Sequence, residues 1–247
     1  MDKNLVKAPL LAASMLIIGF SAIAVAAAQE AKTPYPAMAP LDSYLIADRG
    51  AEIALAKSAA PPALSGDAEV LVLEKDGYHT AIAGKNGFTC VVERGWMSPL
   101  DSADFWNPKL RGPICYNPPA VRSILPYTIL RTKLILSGQT KAQMVETIQA
   151  ELAGDKLPMP EFGAMSYMMS KSGYLGDGVE HWHPHLMFHM PKMGMASWGA
   201  NLPDSPVVVD TYHHSPGPEP ETIFMVPLDH WSDGSPAMGD DVAAHQH

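Results

Sequence analysis

Glu69-Val70-Leu71-Val72-Leu73-Glu74, Tyr78-His79-Thr80-Ala81-Ile82-Ala83 and Phe88-Thr89-Cys90-Val91-Val92-Glu93 are three short runs rich in β-formers. Asp76-Gly77 separates the first two and Asn86-Gly87 the last two. Both dipeptides supply the positive φ angles of a two-residue hairpin turn. The stretch therefore predicts a three-stranded antiparallel meander. Upstream, residues 42–59 place Leu45, Ile46, Ile53 and Leu55 among alanines and end at Pro61-Pro62, which reads as a helix stopped by proline. Downstream, residues 95–119 carry Trp, Pro and Gly without a period and read as loop.

Helices are expected again over residues 120–136, broken at Pro126, and over residues 140–153. In the second, Thr140 is the cap, Met144, Ile148 and Leu152 share a face, and Gly154 ends the run. Strands are expected over residues 164–169, 182–190, 207–211 and 223–227. There is no βαβ alternation. The predicted class is α+β, with antiparallel sheet and with helices from the N-terminal and central segments. The predicted organisation is a signal peptide over 1–28, a linker over 29–40 (Pro34, Pro36 and Pro40), one α+β domain over 41–231 and a flexible tail over 232–247.

The signal-peptide reading rests on three features. Lys3 and Lys7 precede an apolar run from Leu10 to Val25, and Ala26-Ala27-Ala28 supplies a small-residue cleavage site, so Gln29 is the expected new N-terminus. The alternative is an uncleaved membrane anchor, because no charge occurs from Ala8 to Ala28. The expected location is the periplasm or the exterior. Removing residues 1–28, with Asp2 against Lys3 and Lys7, takes the formal charge from −9 to −10. Such an acidic chain repels phosphate backbones, so nucleic acid is not an expected partner. The sequence leaves oligomeric state open. Cys90 and Cys115 are the only cysteines. An oxidising compartment makes them a natural pair, with Cα atoms expected within about 7 Å.

One segment carries a chemical signal: Glu180-His181-Trp182-His183-Pro184-His185-Leu186-Met187-Phe188-His189-Met190. Read with the two-residue period of a strand, Trp182, Pro184, Leu186, Phe188 and Met190 form an apolar face. His181, His183, His185, Met187 and His189 form the other. Two imidazoles two residues apart sit roughly 6.5–7 Å apart at Cα, and both can reach one ion. The expected site is therefore a divalent transition metal, Zn or Cu, centred on His183 and His185. Further ligands are expected from His181, His189, His213, His214 and Asp210, with Glu180 and His79 as weaker candidates. The competing reading is a histidine-lined groove without metal. Eight methionines bracket these histidines, which suits copper or simply an irregular core. No H-E-x-x-H, G-x-S-x-G, Walker or dinucleotide-binding motif occurs.

The stretches Phe105-Trp106-Asn107-Pro108-Lys109-Leu110-Arg111-Gly112-Pro113-Ile114-Cys115 and Gly173-Tyr174-Leu175-Gly176-Asp177-Gly178, with the histidine run that follows, resemble those of an exported bacterial protein family with no assigned activity. The resemblance implies an exported, single-domain protein and carries over no catalytic residue. The His-x-His element is also similar to that of cupins, although His189 or Met190 stands where a cupin has glutamate. The expected function is that of an exported protein with a His-based metal site. A metal-dependent enzyme of unknown substrate is one form of this reading, and the sequence leaves open whether the protein is an enzyme. The alternatives are a non-enzymatic binding or copper-handling protein, and an envelope structural protein without metal.

Overall fold

The computed structural model describes residues 34–177, 182–209 and 221–237. The expected signal peptide lies outside them, as do His181, Glu180, Asp210, His213, His214 and residues 238–247.

Asp48 starts the first helix by accepting from the backbone N–H groups of Gly50 and Ala51, and the helix α1 runs over Arg49–Lys57. It is shorter than the sequence suggests, because Leu41–Ser43 form a separate 3-10 turn ahead of that cap. A single turn, α2 (Pro62–Ser65), follows. The strands β1 (Glu69–Glu74), β2 (Gly77–Ile82) and β3 (Thr89–Glu93) come next. After β4 (Gly112–Tyr116) the chain forms α3 (Pro118–Ser123), α4 (Leu125–Leu136) and α5 (Lys141–Ala153). Pro126 lies in the first turn of α4, where its missing N–H costs no helical bond, so it separates α3 from α4. Thr140 and Gln143 form a capping box at the start of α5. The remaining strands are β5 (Met165–Met168), β6 (His185–Pro191), β7 (Val208–Val209) and β8 (Glu221–Pro227).

All eight strands join one sheet in the order β2-β1-β3-β4-β5-β6-β8-β7, and every pairing except β1 with β3 is antiparallel. The fold is α+β, as the sequence implies, but the meander is not. β1 and β2 form the expected hairpin across Asp76-Gly77. β3 then pairs with β1 in parallel, on the side away from β2. Residues 70–73 of β1 and 89–92 of β3 are buried on both faces, whereas β2 exposes His79 and Thr80. Continuous apolar runs belong in the middle of a sheet and half-polar ones at its edge, and that preference overrides the turn signal. The β2–β3 connection therefore crosses the start of β1. A Cβ on Gly84 would lie 2.3 Å from the Glu69 nitrogen, so only glycine allows the crossing. Asn86 and Gly87 sit in that crossing loop, with the Asn86 side chain bonded to the Leu64 carbonyl and the Phe88 N–H.

β4 was expected as loop, since Gly112 and Pro113 break the pattern. The structure accommodates the proline because β5 pairs only with Cys115 and Tyr116, leaving Pro113 without a ladder neighbour on that side. One sheet face packs through Val70, Cys90, Val92 and Cys115 against Ala56 of α1 and against Ala59 and Ala60 in the segment that follows it. The other carries Leu71, Val91, Ile114 and Tyr116 against Ala120, Ile124 and Leu125 of α3 and α4. A buried ion pair ties the first layers together: Arg94, fully buried, reaches Glu52 of α1 at 2.8 Å and the Tyr44 carbonyl at 2.7 Å. Glu52 also accepts from the Leu73 N–H of β1.

Residues 232–237 belong to the folded body rather than to a tail. Ser232 donates to the Ser58 carbonyl, and Lys171 pairs with Asp233. Among the described residues, no helix is long and apolar enough to cross a membrane.

Cys90 and Cys115 form a disulfide between directly opposed positions of β3 and β4, with a Cα separation of 4.0 Å. This agrees with an oxidising location. In the chain-entropy model a loop of this length contributes about 3 kcal/mol. Replacing both cysteines by alanine is therefore expected to lower the unfolding free energy by about that amount in a urea titration. The native protein is expected to take up no thiol reagent without reductant.

Candidate functional site

β6 pairs with β5 on one side and β8 on the other, so the histidine segment lies well inside the sheet. Of its even residues, Phe188 and Met190 behave as read from the sequence, whereas Trp182 packs in the cluster of the opposite face with Ile114 and Met168. Phe188 and Met190 pack with Phe224, Val209 and Trp198, and the Trp198 and Phe224 rings stack at 4.5 Å. The odd face is also covered, by α3 and α4: Met187 packs with the Tyr116, Ile124 and Leu125 cluster, and His189 is 2% exposed. The imidazole face is thus an interior face in its middle and reaches the surface only at its start.

The ladder begins at His185 rather than at Trp182, so His183 precedes the strand and is exposed. His185 Nδ1 lies 2.7 Å from the His183 carbonyl oxygen, and burial holds this imidazole below the usual histidine range. Trp182 packs edge-on to the His185 ring. His185 and His189 are four residues apart on one strand, about 13 Å, which is too far for a shared ion. His181, His213, His214, Asp210 and Glu180 lie outside the described residues. Among the described residues, the metal-type group whose donor atoms come within 4.8 Å of one another is Glu74, Asp76 and His79. It sits exposed on the β1–β2 hairpin, where Glu74 is paired with Arg49 and Asp76 with His79.

The structure assembles a different cluster around His189. Its Nδ1 is 2.7 Å from Glu221 Oε2 on β8, and its Nε2 is 2.9 Å from Ser166 Oγ on β5. Next to it, the Tyr116 hydroxyl of β4 donates to Glu93 Oε1 of β3 at 2.5 Å, and Thr128 of α4 adds a 3.3 Å bond to the same oxygen. The Tyr116 and His189 rings are 6.3 Å apart. Five strands therefore contribute one polar residue each to one face: Glu93, Tyr116, Ser166, His189 and Glu221. A cavity of about 60 Å³ lies between this row and α4, lined by Glu93, Tyr116, Thr128, Met187, His189 and Glu221 among others. That is room for a few waters or a small molecule. Arg131 of α4 closes the far side, donating to Tyr127 and to the Ser98 carbonyl and lying over the Phe105 ring.

Burial raises the Glu93 carboxyl above its ordinary range, and the bonds from Tyr116 and Thr128 oppose that only in part. Burial also pushes Tyr116 well up, with the Glu93 carboxylate adding to the effect. The site thus holds two interior carboxyl groups with different partners: Glu93 accepts from Tyr116 and Thr128, and Glu221 is bonded to the His189 imidazole.

Of this cluster the sequence reading named only His189. A signal for the rest was present: Glu93 and Ser166 are polar residues at inward-facing positions of apolar strands. It becomes readable only once strand parity is known, and residues 95–119 carry no period from which β4 could be placed. The chain matches no known family model, no curated protein and no solved structure.

Glu93 makes the stability depend on pH. Its folded pKa is raised, so the stability it contributes is complete below the unfolded glutamate value, about 4.3, and is lost as pH rises through the folded value. Glu93→Gln keeps the acceptor oxygen for Tyr116 and removes the ionisation. The variant is expected to be more stable than wild type at neutral pH and to show a flatter stability profile from pH 4 upward, measured by urea denaturation at each pH.

Proposed function

We propose that the protein is exported and binds a small polar molecule in the chamber beneath α4. There Glu93 holds a proton for delivery and the His189–Glu221 pair receives one. The observation that carries this reading is the placement of two differently environed carboxyl groups and an oriented imidazole around one interior cavity. The disulfide and the signal-like N-terminus support export. The test is a thermal-shift panel of small esters, amides, amines and carboxylic acids. A ligand at a hundredfold excess over its Kd stabilises by about 2.7 kcal/mol, which is roughly 5–10 °C for a domain of this size. The expected result is at least one compound whose shift is lost in both Glu93→Gln and His189→Gln. A panel without shifts, or shifts that survive both substitutions, overturns the proposal.

A second reading, a metal ion held at His183 and His185, is favoured by one specific contact. His185 directs Nδ1 to a backbone carbonyl, the arrangement that fixes a ligating imidazole and leaves Nε2 for a metal. The remaining ligands would come from outside the described residues. Elemental analysis of the untagged native protein is then expected to show Zn or Cu, and replacing His183 and His185 together by alanine to remove it. Metal retained at full stoichiometry by that double variant overturns this reading.

A further inference from the structure

Ser166, His189 and Glu221 form a hydrogen-bonded line in the order hydroxyl, imidazole, carboxylate. Oγ meets Nε2 at 2.9 Å and Nδ1 meets Oε2 at 2.7 Å. All three are interior: Ser166 is 0% and His189 2% exposed, and the Glu221 side chain is 8% exposed. A carboxylate on Nδ1 selects the tautomer in which that nitrogen carries the hydrogen and Nε2 is the acceptor. The serine hydroxyl is then the group that donates to Nε2. A structural serine serves equally well by donating to any carbonyl, but this one is aimed at a base whose other side is already fixed by a buried anion.

We infer that Ser166 is a nucleophile activated by the His189–Glu221 pair, and that the substrate class is a small acyl ester admitted through the cavity beneath α4. The inference rests on the chamber reading given above and adds the reaction. Ser166 Oγ forms a bond to the acyl carbon, and its proton passes to His189 Nε2. The carbon–oxygen bond to the leaving alcohol breaks, and the alcohol takes that proton. Water then repeats the sequence on the acyl-serine, releasing a carboxylic acid and restoring the hydroxyl. No oxidant, reductant or metal enters the balance.

The register explains how a fully buried serine is reached. Ser166 lies opposite Tyr116 on β4 and Met187 on β6, and both of these line the cavity, as does His189. The hydroxyl sits behind that wall. Met187 is its adaptable member, because an unbranched thioether re-rotates more easily than a ring held by hydrogen bonds. The cavity volume of about 60 Å³ limits the substrate to a few heavy atoms unless Met187 moves.

The test uses methanesulfonyl fluoride, a compact reagent that forms an oxygen–sulfur bond with an activated serine and releases fluoride. The native full-length protein is incubated with it, and the modified residue is located by tandem mass spectrometry. The expected result is selective modification of Ser166, slowed on the order of 100-fold in His189→Gln and accelerated in Met187→Ala. Glu221→Gln is a second route to the slow phenotype if His189→Gln fails to fold, as judged by near-ultraviolet circular dichroism. Modification spread over several serines, or a Ser166 rate unchanged by Glu221→Gln and His189→Gln, overturns the inference. If Ser166 stays unmodified while a small ligand still gives a Glu93-dependent thermal shift, the nucleophile is wrong and the chamber stands. If both signals are absent, both readings fall.

Discussion

The buried pair of Arg94 and Glu52 is the constraint on which the first half of the fold depends. Arg94 follows β3 directly and reaches α1, the Tyr44 carbonyl and the Val92 carbonyl of its own strand, while Glu52 also holds the Leu73 N–H of β1. One guanidinium thus fixes the N-terminal segment, the first helix and two neighbouring strands relative to each other. Removing either partner strands a charge in the interior, a loss of about 3–5 kcal/mol in comparable cases. A pair of leucines would fill the space but would not specify which strand meets which helix. The parallel contact between β1 and β3 brings Leu73 and Arg94 within reach of the same carboxylate.

The second half depends on the pleat. Because β4, β5, β6 and β8 are in register, every second residue of each strand faces the helices. Tyr116, Ser166, Met187 and Met225 occupy one cross-strand row. His189, Ile223 and Glu221 follow on the same face. The polar row therefore follows from parity once the apolar partners Phe188, Phe224 and Tyr167 have chosen the other side. α4 carries Thr128 and Arg131 to this face because Pro126 ends α3 and restarts the helix, setting its direction.

Elements with a local signature were legible in the sequence. α5 has its capping box at Thr140 and Gln143, the β1–β2 hairpin has Asp76-Gly77, and the alternation in residues 185–190 sends Phe188 and Met190 to an apolar face. What stayed hidden was decided by neighbours distant in the chain. Nothing near Asn86-Gly87 shows that β3 will bypass β2. Gly112 and Pro113 disguise a strand whose burial comes from elements distant in the chain, with β3 and β5 beside it and α1, α3 and α4 on its two faces. The site shows the same division. His189 stands out by composition, but Glu93, Tyr116, Ser166 and Glu221 lie up to 128 positions apart and have no motif to join them.

The order of the sheet bears on how the chain is assembled. Reading β2-β1-β3-β4-β5-β6-β8-β7, each strand lies beside a partner one or two steps away in sequence, with only two local exchanges. A polypeptide delivered N-terminus first can therefore build its sheet outward from the hairpin, each arriving strand finding a finished edge except β7, which must wait for β8. Long-range closure, the slow step in many β-rich domains, is reduced to accretion. The sulfur cross-link fits the same schedule: both cysteines have emerged before the helices that follow, so oxidation can lock the nascent β3–β4 edge while the second half of the molecule is still unmade.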